Sequence, residues 1–221
     1  MTVTASLIQF ADQATRDDLR SFLARLVRVG EPEVRIRRRG DVLGVFGCTQ
    51  APAGILDADP VVLVMRGFAL AEQQEGEIDD VFEARAFLDR LARLEGSELS
   101  LPIPDMITTA AWAGVLPPNS GWEAYGTVDA SSLAVVAKEG MSRVAESVPV
   151  DAGDPVVQRI RRSVWGSEIA PGIPASAAFA AESMGFLSGV DRLILSKSQH
   201  WTRLSGLNGY VILRFGAGFV R

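Results

Sequence analysis

Between residues 14 and 32 the apolar positions Leu19, Phe22, Leu23, Leu26 and Val27 recur at helical spacing and share one stripe. Thr15 is placed to cap this segment, Asp17 and Asp18 suit its positive end, and Gly30 and Pro32 stop it. The period then changes. VRIRRR and VLGVFG, within 34–47, are two short runs joined by Gly40-Asp41, a hairpin signal. VVLVMRGFAL, 61–70, is a near-continuous apolar run rich in valine, as expected of a central strand. Helical spacing returns over 79–94, where Val81, Ala84, Leu88, Leu91 and Leu94 line up and Asp89 supports Arg93 at i,i+4.

EGSELSLPIPD, 95–105, interrupts the pattern and reads as a linker. Beyond it the chain turns helical. A short helix is predicted over 104–114, ended by GVLPPNSG. A longer one is predicted over 129–148, with Asp129 as its cap and Leu133, Val136, Ala137, Met141, Val144 and Val148 on one side. Asp154-Pro155 opens a third helix that runs to Trp165. ASAAFAAESMGFL, 175–187, reads as a buried helix whose small residues allow a neighbour to approach closely. LILSK, 193–197, and a terminal hairpin complete the chain.

The sum is an α+β protein of two modules. Residues 1–97 form a helix, a three-stranded antiparallel sheet and a closing helix. Residues 98–221 form a helical cluster closed by an antiparallel hairpin. Two helices followed by a hairpin is also the order of parts in a winged helix.

The hairpin lies in SKSQHWTRLSGLNGYVILRF, 196–215. A two-residue turn at Asn208-Gly209 would set Arg203 opposite Arg214, and facing like charges repel. A loop from Gly206 to Gly209 instead pairs Trp201 with Arg214, a cation–π arrangement, Leu204 with Val211 and Thr202 with Leu213. The second register is preferred. It buries Val211, Leu213 and Phe215 and sets His200 on their face opposite Phe215, as a structural group rather than a catalytic one.

Composition narrows the function. The chain has 221 residues, 48% hydrophobic and 22% charged, which is globular rather than disordered. The net charge of -5 supplies no global attraction for nucleic acid or anionic membranes. One cysteine, Cys48, excludes an internal disulfide framework and fits a reducing compartment. The start, MTVTASLIQFAD, has no basic stretch, and the most apolar window is interrupted by Arg66. The expectation is a soluble, cytoplasmic protein with no membrane span.

Catalytic groups are scarce. His200 is the single histidine, and no Gly-x-Ser-x-Gly elbow accompanies it. One Cys and one His cannot build a structural zinc site. Asp79-Asp80 and Asp57-x-Asp59 read as a helix start and a turn rather than metal ligands. GAGFVR, 216–221, has no helix after it to hold a phosphate. No catalytic residue, metal or cofactor is therefore expected. Arg159, Arg161 and Arg162 add local positive charge, but 175–187 offers almost no donors to read bases, which argues against nucleic acid as a partner.

Two sets of residues are candidates for binding. Arg35, Arg37 and Arg39 alternate with Val34 and Ile36, so three guanidinium groups share one strand face; they either shield an edge or meet an anion or acidic partner. Trp112, Trp122 and Trp165, with Tyr125, flank Pro/Gly-rich segments and either line a ligand cleft or anchor loops. The leading expectation is a non-catalytic binding or scaffolding protein that self-associates and meets a protein partner. The alternatives are a small-molecule binder with an aromatic-lined pocket, and a winged-helix-type nucleic-acid-associated protein.

Overall fold

The computed structural model describes residues 7–52, 59–71 and 76–215. Asp57 and the 216–221 segment lie outside them. The fold is α+β and divides into two units. The first is Met1–Thr49 with Met65–Leu116; the second is Gln50–Val64 with Pro117–Arg221. Strand β4 (Val61–Ala69) is shared between the two sets of residues.

In the first unit, β1 (Leu7–Gln9) leads to α1 (Gln13–Val29). Asp12, not Thr15, caps α1: its carboxylate accepts the Thr15 backbone N–H at 2.7 Å. The predicted stripe is the buried one, with Leu19, Phe22, Leu23 and Leu26 all inside. β2 (Glu33–Arg39) and β3 (Val42–Gln50) form the expected hairpin, Arg39 facing Val42. Gly40 sits in the turn at φ 58°, a conformation that favours glycine.

The predicted helix over 79–94 is two elements. Ile78–Glu83 is strand β5, and only Ala84–Arg93 is helix, α2. β5 pairs antiparallel with β2, Arg37 facing Asp79 and Val34 facing Phe82. Ile78 and Phe82 are buried, so the alternation of a strand overrides the helical spacing that starts at Val81. The strands run in the order β5-β2-β3-β4.

The expected linker is likewise structured. Within it β6 (Ser100–Pro102) pairs with β1, and Leu101 is fully buried opposite Ile8. The predicted helix over 104–114 shrinks to a 3-10 turn, Ala111–Gly114. Upstream of that turn the chain runs extended beside β5, the Thr108 N–H donating to the Val81 carbonyl at 2.8 Å, which leaves Met106 and Ile107 exposed.

Beyond Pro117 the second unit opens with a strand that the pattern did not indicate, β7 (Glu123–Asp129). α3 (Ala130–Ser147) follows; Asp129 precedes it but pairs with Arg192 at 2.9 Å instead of capping. α4 (Asp154–Trp165) has Pro155 in its first turn, as expected. A small ribbon of β8 (Glu168–Ala170) and β9 (Ile173–Pro174) leads into α5 (Ala175–Ser183). Ala175, Ser176, Ala177, Ala178, Ala180 and Ala181 of α5 are all buried, as the small residues implied. α3 packs against α5 and α4.

β10 (Arg192–Ser198), β11 (Trp201–Gly206) and β12 (Gly209–Arg214) form the end of the chain, in the order β12-β11-β10-β7. The register is the preferred one: Trp201 faces Arg214, Thr202 faces Leu213 and Leu204 faces Val211. The hairpin is part of this sheet, with β10 paired to its β11 strand, and not the free wing of a winged helix. His200 departs from expectation. Ser198 already faces Trp201, so Gln199 and His200 form a tight turn and the imidazole is exposed. Counting alternation past the end of the strand placed it inside.

Candidate partner-binding site

The three arginines of β2 divide. Arg35 and Arg37 both reach Asp79 across the β2–β5 pair, at 2.7 and 2.9 Å. Arg35 also donates to the Ala113 carbonyl. Burial alone would raise the Asp79 carboxyl; the hydrogen bonds from Arg35 and then Arg37 outweigh it and hold the group below its ordinary range. Arg39 is exposed at the strand end. Between them Arg38 points to the other face and is buried, saturated by the carbonyls of Gly76 and Leu7.

The tryptophans occupy separate surroundings. Trp112 is in the first unit, 4% exposed, in the 3-10 turn. Trp165, 5% exposed, ends α4 against Phe179 at 4.6 Å, with Val164 and Ala175 in the same apolar cluster. Trp165 packs in apolar surroundings, whereas the buried indole N–H of Trp112 has no hydrogen-bond partner among the described residues. Trp122 is different. It precedes β7, and its indole N–H donates to the Pro118 carbonyl at 3.0 Å, which fixes the ring.

That ring lies on Arg203 of β11, with 4.3 Å between the guanidinium carbon and the ring centroid. Tyr210 of β12 lies 5.1 Å from the same carbon. On the same strands Arg214 covers Trp201 at 5.4 Å, the expected cation–π pair. In the neighbouring pair Lys197 sits 4.8 Å over Tyr125. Arg203, Ser205 and Tyr210 share one face of the sheet, since Ser205 faces Tyr210 and lies two residues from Arg203. Two of these groups are unsatisfied: Arg203 Nε and Ser205 Oγ are buried and have no hydrogen-bond partner among the described residues. Burial pushes the Arg203 pKa down from its ordinary value, partly offset by Tyr210.

Arg203 and Tyr210 were not singled out as binding residues in the sequence. The signal was present in the register, which frees Arg203 from Arg214, but Trp122 comes from a segment with no strand pattern. A depression at the start of α3 is lined by Asp129, Ser131, Val190, Asp191 and Arg192, with no aromatic group. Among the described residues no cluster of His, Cys, Asp and Glu is arranged to hold a metal ion. No helix among them is long and apolar enough to cross a membrane.

The fold is that of the bacterial sliding clamps. The chain resembles a DNA polymerase sliding clamp from Pseudomonas aeruginosa at 14% identity and a TM-score of 0.53, over 97% of this chain and 65% of that one. It resembles the sliding clamp (DNA polymerase III subunit beta) of Bartonella birtlesii, solved with griselimycin, at 14% identity and 0.50, over 98% and 66%. The Caulobacter crescentus polymerase III beta gives 13% and 0.50, over 96% and 66%. The chain thus spans just under two thirds of the length of these structures. No curated protein matches it. By sequence the chain belongs to the family described as "Domain of unknown function (DUF8010)", whose model matches residues 3–114. A second model, "Domain of unknown function (DUF8185)", matches residues 117–218.

Proposed function

We propose that this protein is a non-catalytic scaffold that self-associates and presents its sheets to protein partners in the cytoplasm. The observation that carries the reading is the likeness of nearly the whole chain, 97% of it, to a structure titled a DNA polymerase sliding clamp. A fold shared at this identity carries shape but no chemistry, so the reading names an assembly and a docking role and no reaction. Trp122 and the Arg35, Arg37 and Arg39 face are the partner contacts within this reading. The ion pairs of Arg35 and Arg37 hold those side chains in place, and Arg39 is exposed to meet an acidic group. The test is the mass in solution, by light scattering after size exclusion at micromolar concentration. A discrete multiple of one chain is expected; a single chain at every concentration would overturn the self-association.

The placement of charge favours a second reading, contact with DNA through the helices. The chain is acidic overall, yet the helices α1, α2 and α4 carry a net positive charge. α1 carries Arg16, Arg20, Arg25 and Arg28 against Asp17 and Asp18. α2 carries Arg85, Arg90 and Arg93 against Asp89, and α4 carries Arg159, Arg161 and Arg162 against Asp154. Arg28, Arg85 and Arg93 are exposed. Exposed guanidinium groups on helices suit phosphate contact without base reading, which removes the objection that α5 lacks base-reading side chains.

A further inference from the structure

We propose that Arg203, flanked by Trp122 and Tyr210 and followed by Ser205, is a binding site for the carboxylate groups of an acidic, partly apolar polypeptide.

Several buried or half-buried guanidinium groups of this protein reach carbonyls or carboxylates, and Arg20, whose Nε is also buried without a partner among the described residues, still donates to the Leu91 carbonyl. Arg16 donates to the carbonyls of Gly96 and Glu98 and to Asp17. Arg38 donates to Gly76 and Leu7, and Arg35 and Arg37 share Asp79. Arg203 differs from these in having a buried, unmet Nε and no such partner at all: among the described residues it meets two rings and no carboxylate or carbonyl. Aromatic rings attract the cation but accept none of its N–H bonds in the guanidinium plane. Leaving a buried charged donor unmet is costly, so the fold carries a cost that an arriving anion removes. Arginine stays protonated whatever its surroundings, and burial that lowers its pKa adds to the demand for a counter-charge.

A second orphan points to the same place. Ser205 Oγ is also buried without a partner, on the same sheet face, with the Tyr210 hydroxyl across the strand pair. Arg203 and Ser205 stand about 6.6 Å apart along the strand at 3.3 Å per residue, a span that an acidic side chain and its own backbone can bridge. Rings beside the guanidinium keep its planar fork in place, which suits a planar carboxylate.

The neighbour across the other strand pair decides the carrier. Ile194 faces Ser205 and is 50% exposed. A small inorganic anion makes no use of it. A polypeptide with an apolar residue beside an acidic one covers it while meeting Arg203 and Ser205. Only the choice of a polypeptide carrier rests on the scaffold reading; the need for an anion does not.

The test uses the full chain and two capped peptides, Ac-Glu-Leu-Glu-Leu-NH2 and Ac-Gln-Leu-Gln-Leu-NH2, with inorganic phosphate as a third probe. Binding is followed by the Arg203 Nε–H resonance and by calorimetry. The acidic peptide should shift that resonance saturably, and both the glutamine peptide and phosphate should bind at least about tenfold more weakly, the loss of one charge-assisted bond. Arg203→Lys, which keeps the charge but loses the fork, should weaken the acidic peptide by a similar factor, and so should Ser205→Ala. The serine variant leaves the ring–cation stack intact, so it tests the site even where Arg203 variants unfold. Equal binding of the two peptides, a stronger response to phosphate, or no saturable shift overturns the proposal. The same samples give the mass. A single chain that binds the peptide sinks the scaffold reading alone, and a multimer that ignores it sinks the carboxylate site alone.

Discussion

A guanidinium group does opposite things in the two units. Beside Asp79, the pair from Arg35 and Arg37 stabilises a carboxylate. Asp79→Asn should destabilise the protein by about 1 kcal/mol at neutral pH, a value kept small because the carboxylate side chain is 37% exposed and screened. The folded pKa lies below the unfolded one, so this contribution is present above the unfolded value of about 3.9 and fades as pH falls through the folded value. Urea melts of both proteins should therefore converge once the pH has fallen below the lowered carboxyl range of Asp79; a gap that persists there would show that packing, not charge, carries the effect. At this scale the sequence was partly readable. Like-charge avoidance between Arg203 and Arg214 chose the register that the strands adopt. His200 was misjudged by one residue of strand length, because a tight turn leaves no trace in the alternation before it.

Among elements, the helices of the second unit are spaced by what they lack. A Cβ on Gly140 of α3 would stand 2.3 Å from Trp165 Cζ3. Alanine is the better helix former by about 1 kcal/mol, yet the indole is a rigid, buried plate stacked on Phe179, and overpacking costs about 1–3 kcal/mol. Gly140→Ala should therefore lose about 1–2 kcal/mol in a denaturant melt. Ser142→Ala, exposed on the same helix, should be neutral or slightly stabilising. A stabilised Gly140 variant would mean that Trp165 can move aside. Elements with one strong period were legible: α1, the β2–β3 hairpin, β4 and α5. Those whose identity depends on a distant partner were not. β5 has helix-like spacing and becomes a strand because β2 offers Arg35 and Arg37 to Asp79. β1, β6 and β7 are short or polar, and their partners lie up to 95 residues away, beyond any local pattern.

Across the whole molecule, net charge was a poor guide, because it averages the basic helices α1, α2 and α4 with acidic segments elsewhere, such as β5 and β7. If the helices meet DNA, the intact protein should retain duplex at about 50 mM salt and lose it steeply as salt rises. Replacing Arg28, Arg85 and Arg93 together by Glu should cut affinity at least about tenfold and flatten the log–log salt slope by about 3. Indifference of the intact protein to duplex at low salt would end that reading. The proposed binding role rests, in the sequence, only on the scarcity of catalytic groups; the clamp likeness is a property of the assembled backbone and of no motif. One feature of that backbone bears on how the protein is made. The second unit claims Gln50–Val64, with Val61, Val62, Leu63 and Val64 buried, although the rest of it starts at Pro117. No single cut of the polypeptide releases that unit whole. During synthesis the four apolar residues emerge about 150 positions before the last strand closes, roughly 8 to 30 s at ~5–20 residues per second. Over that interval they are an exposed adhesive segment on a nascent chain, and their safekeeping falls to the ribosome surface and to chaperones.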